Sequence, residues 1–394
     1  MRLTRQKGWK WMTSQREIIN FAVGLAVFWT ITYVTSRVLR LEKYGLTVQP
    51  AYIRYESSRF RRLLYKASER GRGLWKTYSN LGIALAAGQM VYAVYFLLDN
   101  LVRFIQPGGG PSPVLPILPG ITVRTYWLPY LLFAVAIAII THEAAHGIVA
   151  RTEGIPIKSA GAILLLALPG GFVEPDEEKF ENSSTTSKLR VLAAGSSINL
   201  LTGLLALLLL STLFSRASSG AVIIETVEGG PLDAAGIQRW DVIYAVNSTP
   251  VRSVWELAKY LDGASPGDPI LLSTSRGDIL IILDEASGEG AERVWSMLGA
   301  APPFMNYHES RLGLGSSFNI HLYLTLYWSF TVFLSIAVMN MLPLYPFDGE
   351  RFLYTLLRRF TGSERWLQIA INVFSLCLIA ANMIMSFMRN LILI

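Results

Sequence analysis

The segment of this chain best suited to chemistry is His142-Glu143-Ala144-Ala145-His146. On a helix, positions four apart lie one turn apart on one face, so both imidazoles can reach a single metal ion. Glu143 is adjacent and can reach a water held on that ion. Zinc brings the pKa of bound water toward ~7, where a carboxylate can take its proton. Two histidines leave zinc short of a third protein ligand and an open position. The five-residue pattern is a modest signal by itself. Two interfacial histidines satisfied by hydrogen bonds are the plainer alternative. The setting favours the metal, because the run closes an apolar stretch, residues 126–150. Ionisable residues at membrane depth are costly and mark functional sites.

The third ligand must come from another element at the same depth. Asp348 is the best candidate, in Asn340-Met-Leu-Pro-Leu-Tyr-Pro-Phe-Asp-Gly349. Pro343 and Pro346 break a helix there and turn the carboxylate inward. An ordinary Asp-Gly turn at a membrane exit is the alternative. His321 is a rival ligand, but as helix its separation from Asp348 amounts to ~40 Å. His308 is further away still, and both read as interfacial residues. Asn199 and Asn340 are lone amides in apolar surroundings. They either hydrogen-bond between helices or hold a substrate backbone or oxyanion near the metal.

The elements that must position these residues are apolar. The chain is 52% hydrophobic and 16% charged, against about a quarter charged for a soluble protein. Six candidate spans follow, at 18–38, 79–105, 126–150, 189–214, 319–342 and 366–388, each near the ~20 residues a crossing helix needs. The first is the most polar and could instead lie along the interface. It is too long for a cleavable signal peptide, and no small-residue cleavage site follows it. The net charge of +7 clusters beside the spans, which points to anionic lipid and topology rather than nucleic acid. Cys377, the single cysteine, excludes an internal disulfide and reads as a small buried hydrophobe.

Four regions emerge. Residues 1–125 form an N-terminal membrane region with two spans and a basic loop from Arg40 to Lys76, in which 46–55 could be a short strand. A Pro- and Gly-rich connection, 106–125, closes this region. Residues 126–217 carry the His-Glu-Ala-Ala-His helix and the next span. Between them, 160–174 is apolar but too short to cross, and Pro169, Gly170 and Gly171 interrupt it. A membrane-dipping hairpin fits, since such backbone survives at depth only when buried in protein or lining a wet cavity. Residues 218–290, where acids outnumber bases, read as a small soluble α+β module. Residues 291–394 supply the Asp348 segment and the last span. Placing the basic 40–76 loop inside puts the catalytic-looking end of 126–150 toward the cytoplasm and the acidic module outside. The basic N-terminal tail (Arg2, Arg5, Lys7, Lys10, Arg16) disagrees, and the longer loop decides.

Together, His-Glu-x-x-His on one span and Asn-x-x-Pro-x-x-x-x-Asp-Gly on a later one resemble the site-2 proteases, intramembrane zinc metalloproteases. The likeness covers most of 126–360, and spans 18–38 and 79–105 lie outside its common core. It implies an α-helical polytopic membrane protein of about six transmembrane helices with a small α+β PDZ-like extracytoplasmic domain. It also implies Zn2+ held by His142, His146 and Asp348, with Glu143 as general base. Asn340 matches the family's asparagine. Gly195-Ser-Ser-Ile-Asn199 resembles its G-x-x-x-N element, which suggests substrate positioning by Asn199. Pro169-Gly-Gly-Phe-Val-Glu174 resembles its membrane hairpin, which would make Gly170, Gly171 and Phe172 part of a strand that pairs with substrate. Phe347 stands where leucine is more usual. Val227 to Ile237, Asp241-Val-Ile243 and Asn247 resemble a PDZ domain, with Gly220-Ala-Val-Ile223 nearest its groove loop. That loop departs from the carboxylate-binding pattern, so C-terminal peptide binding is not expected.

The expected activity is cleavage of single-pass membrane proteins within the bilayer of a prokaryotic cell, archaeal by size and simplicity, with no role for nucleic acid. A metal transporter would need a polar path to both faces, and the outer halves of the spans carry no ladder of ionisable residues. A catalytically inactive PDZ-type scaffold would need neither Glu143 nor a full ligand set.

Overall fold

The structure, a computed structural model, describes residues 15–116, 122–166, 168–361 and 365–392. The tail residues Arg2, Arg5, Lys7 and Lys10, and Pro119 in the connection, lie outside them. In chain order the elements begin with α1 (Gln15–Val38), β1 (Leu46–Gln49), β2 (Tyr52–Glu56), α2 (Ser58–Arg70) and α3 (Arg72–Ile105). Then come α4 (Leu128–Thr152), β3 (Ile157–Leu165), β4 (Leu168–Pro175), α5 (Glu177–Glu181) and α6 (Thr185–Leu213). A second group follows: β5 (Gly220–Val222), β6 (Glu225–Thr226), α7 (Pro231–Ala234), β7 (Val242–Val246), β8 (Thr249–Pro250) and α8 (Val254–Leu261). It ends with β9 (Pro269–Thr274), β10 (Gly277–Ile282), α9 (Ala291–Leu298), β11 (Ala300–Ala301) and β12 (Met305–Tyr307). The chain finishes with α10 (Ser316–Asn340), α11 (Asp348–Thr361) and α12 (Arg365–Ile392). Two compact units result, Met1–Leu204 with Ser329–Ile394, and Leu205–Trp328.

Five helices among the described residues are long and apolar enough to cross a membrane: Arg72–Ile105, Thr125–Thr152, Thr185–Leu213, Ser316–Asn340 and Arg365–Arg389. They match five of the six expected spans. The sixth falls on α1, whose described apolar stretch, Val23–Val38, is shorter. Apolar periodicity misleads at one point. Cys377 is exposed on α12, not buried. A membrane helix is apolar on its lipid face as well as its packed face, so apolar neighbours do not signal burial.

In the first unit, β1, β2, β3 and β4 make a four-stranded antiparallel sheet in that order. The stretch 46–55 is thus a hairpin, turning at Pro50-Ala51, rather than one strand. The expected hairpin at 160–174 exists as β3 and β4, but its tip is near Leu166, with φ +56°. Pro169, Gly170 and Gly171 lie inside β4, opposite Leu164, Ile163 and Ala162. β4 pairs on one side only, and an edge strand tolerates proline where its missing N–H faces outward. At the tip, Leu166 N–H donates to the Ala51 carbonyl, and the Trp29 indole donates to the Leu166 carbonyl at 3.1 Å.

The second unit holds a sheet ordered β10-β9-β7-β5-β12, with β8 also paired to β7. β7, α8, β9 and β10 all fall within the stretch 218–290. Leu232, Ile243, Leu257, Leu261, Leu272 and Leu298 are fully buried in its core. The sheet takes in Met305–Tyr307, beyond residue 290. Gly220–Val222 is paired on both sides, to β7 and β12. The segment nearest the groove loop by resemblance is therefore an inner strand with no free edge.

A methyl on Gly161 would stand 1.8 Å from the Tyr55 carbonyl oxygen, so β2 and β3 meet only because no Cβ intervenes. Gly161→Ala should cost ~1–3 kcal/mol locally and accelerate amide exchange at Ser57, which donates to the Ala160 carbonyl, by about tenfold or more. Unchanged protection there would show that the ladder does not depend on this approach.

Candidate metal centre

α4 is built from alanines and branched aliphatics, with Pro129 in its first turn, where proline costs no hydrogen bond. Its periodicity puts His142 and His146 on one face, and their Nε2 atoms stand 3.1 Å apart. The Oδ2 of Asp348 lies 3.1 Å from each. Asp348 reaches this point because α10 ends at Asn340 and the chain folds back over 341–347 before α11 begins. The fold-back needs Gly349, where a Cβ would stand 2.3 Å from the Met341 carbonyl oxygen. The side chains of His142, His146 and Asp348 are 9%, 12% and 24% exposed. They are sheltered but not sealed.

The three donor atoms lie within 4.8 Å of one another and could hold one metal ion. Ligands about 2.0–2.1 Å from a tetrahedral zinc stand roughly 3.3 Å apart, so the spacing fits that ion. Two imidazoles and a carboxylate are also a donor set zinc accepts, with one position left open. His146 Nδ1 stands 2.7 Å from the Val191 carbonyl, a contact that fixes the ring and leaves Nε2 for a metal. The Nδ2 of Asn199 is 3.4 Å from His142 Nδ1. The Nδ2 of Asn340 is 3.5 Å from His142 Nε2. Both amides therefore border the cluster. His308 and His321 do not join it: His308 stacks on Tyr323 and His321 packs edge-on against Trp240.

Glu143 points toward β4, its Oε2 accepting the Val173 N–H at 3.0 Å. Gly171 lies close against α4. A Cβ on it would meet Ile139 Cγ2 at 2.9 Å and Glu143 Cγ at 3.0 Å. Gly170 stands opposite Ile163, and the Phe172 ring lies under the Arg54 guanidinium at 4.2 Å. Several participants were not foreseen from sequence. Thr141 Oγ1 lies 3.2 Å from Asn199 Oδ1, and a lone hydroxyl before the first histidine was its available signal. Val173 and Val191 act through backbone atoms, which no side-chain pattern reveals. Arg54 was read only as part of a basic loop.

The helices around the cluster are tied by polar groups. Tyr78 Oη donates to the Ala194 carbonyl and Ser197 Oγ to the Gly82 carbonyl, joining α3 to α6. Glu153, just past α4, accepts from Ser187 at 2.6 Å and from Arg190 at 3.1 Å, with Lys76 at 3.7 Å. Burial opposes its ionisation, but the Ser187 hydroxyl, Arg190 and Lys76 together hold its carboxyl below the ordinary value. On β4, the Ser159 hydroxyl and Arg54 do the same for Glu174.

Known proteins resemble this chain across the residues of the cluster. The profile of peptidase family M50 matches residues 130–381, a range that contains His142, Glu143, His146 and Asp348. An uncharacterized protein of Methanocaldococcus jannaschii is 26% identical over 283 residues, 70% of this chain and 71% of that protein. The membrane-bound transcription factor site-2 protease homolog of Arabidopsis thaliana is 23% identical over 227 residues, 54% of this chain and 43% of that protein. With its apolar helices, the chain falls among the membrane metalloproteases. More narrowly, it belongs to peptidase family M50, the site-2 protease family, whose proteases are zinc metalloproteases.

Gly195 faces both imidazoles of the centre. A Cβ there would stand 2.4 Å from His142 Cε1 and His146 Nε2. Gly195→Ala should therefore displace one imidazole and lower metal retention by about 10–100-fold. Metal analysis of purified protein after dialysis against a weak chelator checks this, and wild-type retention would show that the rings can move aside.

Proposed function

We propose that this protein is an intramembrane zinc metalloendopeptidase that cleaves membrane-anchored proteins within their transmembrane segments. The observation that carries the reading is the meeting of His142 and His146 on α4 with Asp348 at the start of α11, with Glu143 beside them against an edge strand. His142, His146 and Asp348 would hold zinc. When bound, zinc would polarise the scissile carbonyl and acidify water. Glu143 takes a proton from the attacking water and passes it to the leaving amine. Asn199 and Asn340, bordering His142, orient the substrate or its developing oxyanion.

A transmembrane helix hides its amides in internal bonds, so the substrate must unwind before it can be cut. β4 offers the place. Val173 N–H faces outward to Glu143, and alternation along a strand makes Gly171 and Pro169 face the same way. An extended substrate pairs there, with Gly170, Gly171 and Phe172 shaping its path. On this reading the site opens toward the cytoplasm. The 218–290 module is an extracytoplasmic, PDZ-like element that filters or holds substrates, and the cell is a prokaryote.

Two variants test the chemistry on a purified single-pass substrate. Glu143→Gln should keep its zinc and lose about 10²–10⁴-fold in kcat. Asp348→Ala should lose zinc together with activity. Undiminished cleavage by the first variant would falsify the mechanism, and full zinc content in the second would remove Asp348 from the centre. Zinc flux across vesicles without cleavage by the wild-type protein would favour a transporter.

A further inference from the structure

We infer that Arg54 is a positioning residue for substrate, clamping the edge strand β4 from across the sheet. The inference rests on the reading that substrate pairs with β4. Arg54 belongs to β2, outside the residues that match the family. Its guanidinium nevertheless reaches past β3 to β4. Nη2 donates to Ser159 Oγ at 2.8 Å and to Glu174 Oε2 at 2.9 Å, and lies 3.2 Å from Glu56 Oε1. Its plane covers the Phe172 ring at 4.2 Å. Ser159 also donates to Glu174 at 2.6 Å, closing the network.

The two residues held, Phe172 and Glu174, flank Val173. Side chains alternate along a strand, so Arg54 grips β4 through residues 172 and 174, while the Val173 N–H between them meets Glu143. A single half-exposed ion pair would hold little. Here one planar group makes charge-assisted bonds and a ring contact at once, which adds geometric constraint that a lone pair lacks. The same N-terminal region holds the other end of β4. Trp29 and Ala51 take up the carbonyl and N–H of Leu166 at the hairpin tip. Between these two holds lie Pro169, which can offer only a carbonyl outward, and Gly171, which offers both N–H and carbonyl. With Val173 N–H engaged by Glu143, Gly171 is where an incoming backbone finds a full hydrogen-bonding pair. Arg54 thereby holds in place the strand on which substrate pairs, without touching substrate or Glu143.

Steady-state cleavage by the full-length protein in detergent tests this. Arg54→Gln should raise KM about tenfold, with kcat within about twofold and zinc content unchanged. Arg54→Lys should recover only part, because an ammonium cannot fork between Ser159 and Glu174 while covering a ring. Trp29→Phe, which removes the bond to Leu166 and some packing at the tip, should raise KM in the same direction by less. A cross-link separates this inference from the one beneath it. In a Cys377→Ser background, Pro169→Cys should form a disulfide with a single-cysteine substrate, and Arg54→Gln should abolish most of it. No cross-link even with Arg54 intact overturns substrate pairing on β4, and this inference with it. An equal cross-link and KM with and without Arg54 overturns the inference alone. So does a fall in kcat or zinc at constant KM, which would mark Arg54 as merely structural.

Discussion

No side chain fits between α6 and the two imidazoles of α4. Gly195 stands so close that a methyl would lie 2.4 Å from both rings, and the rest of the centre depends on that approach. It brings the Val191 carbonyl to 2.7 Å from His146 Nδ1 and Asn199 to the other side of His142. Helix association in lipid lacks a hydrophobic drive and relies on small residues and interhelical hydrogen bonds. Both are present. Tyr78 and Ser197 tie α3 to α6, and Glu153, Arg190, Ser187 and Lys76 join the ends of α3, α4 and α6. Buried and partly buried polar groups of this kind set geometry more than they add stability. A centre with atoms 3.1 Å apart needs geometry.

A second constraint acts on the sheet. Backbone at membrane depth must find its hydrogen bonds inside the protein. A bare two-stranded hairpin would leave β3 with an unpaired row. The β1-β2 hairpin covers it, α1 caps the tip through Trp29, and β1 and β4 become the outer strands of the sheet. The N-terminal region outside the matched residues thus moves one outer edge of the sheet to β1, while the edge on β4 faces the helix that carries Glu143.

How much of this was legible in the sequence follows from distance along the chain. His142 and His146 are related by helical spacing, and the breaks at Pro343 and Pro346 announced where α10 would stop. Asp348 is 202 positions from His146, yet it could be found because few ionisable residues sit at apolar ends. The β2–β3 pairing joins residues more than 100 positions apart, as between Tyr52 and Leu165, and nothing in either segment names its partner. Gly170 and Gly171 were read as a break because glycines beside a proline usually are one. On an edge strand they instead allow close approach, which is a property of the neighbour and not of the segment. Gly220–Val222 failed for the same reason, since whether a strand is inner or edge depends on β12, which lies more than 80 positions later.

Glu143 stands where the two constraints meet. Its carboxylate accepts the outward Val173 N–H of β4, so it is bonded to the edge on which substrate is proposed to add. A carboxylate that caps an edge strand satisfies a donor that lipid could not. On the proposed mechanism the same carboxylate must turn to water. If an arriving backbone takes over hydrogen bonding along β4, Glu143 is released from that duty as the scissile bond arrives. Proton transfer would then be tied to occupancy of the strand, and an empty site would hold its base in a bond rather than leave it free beside the metal ligands.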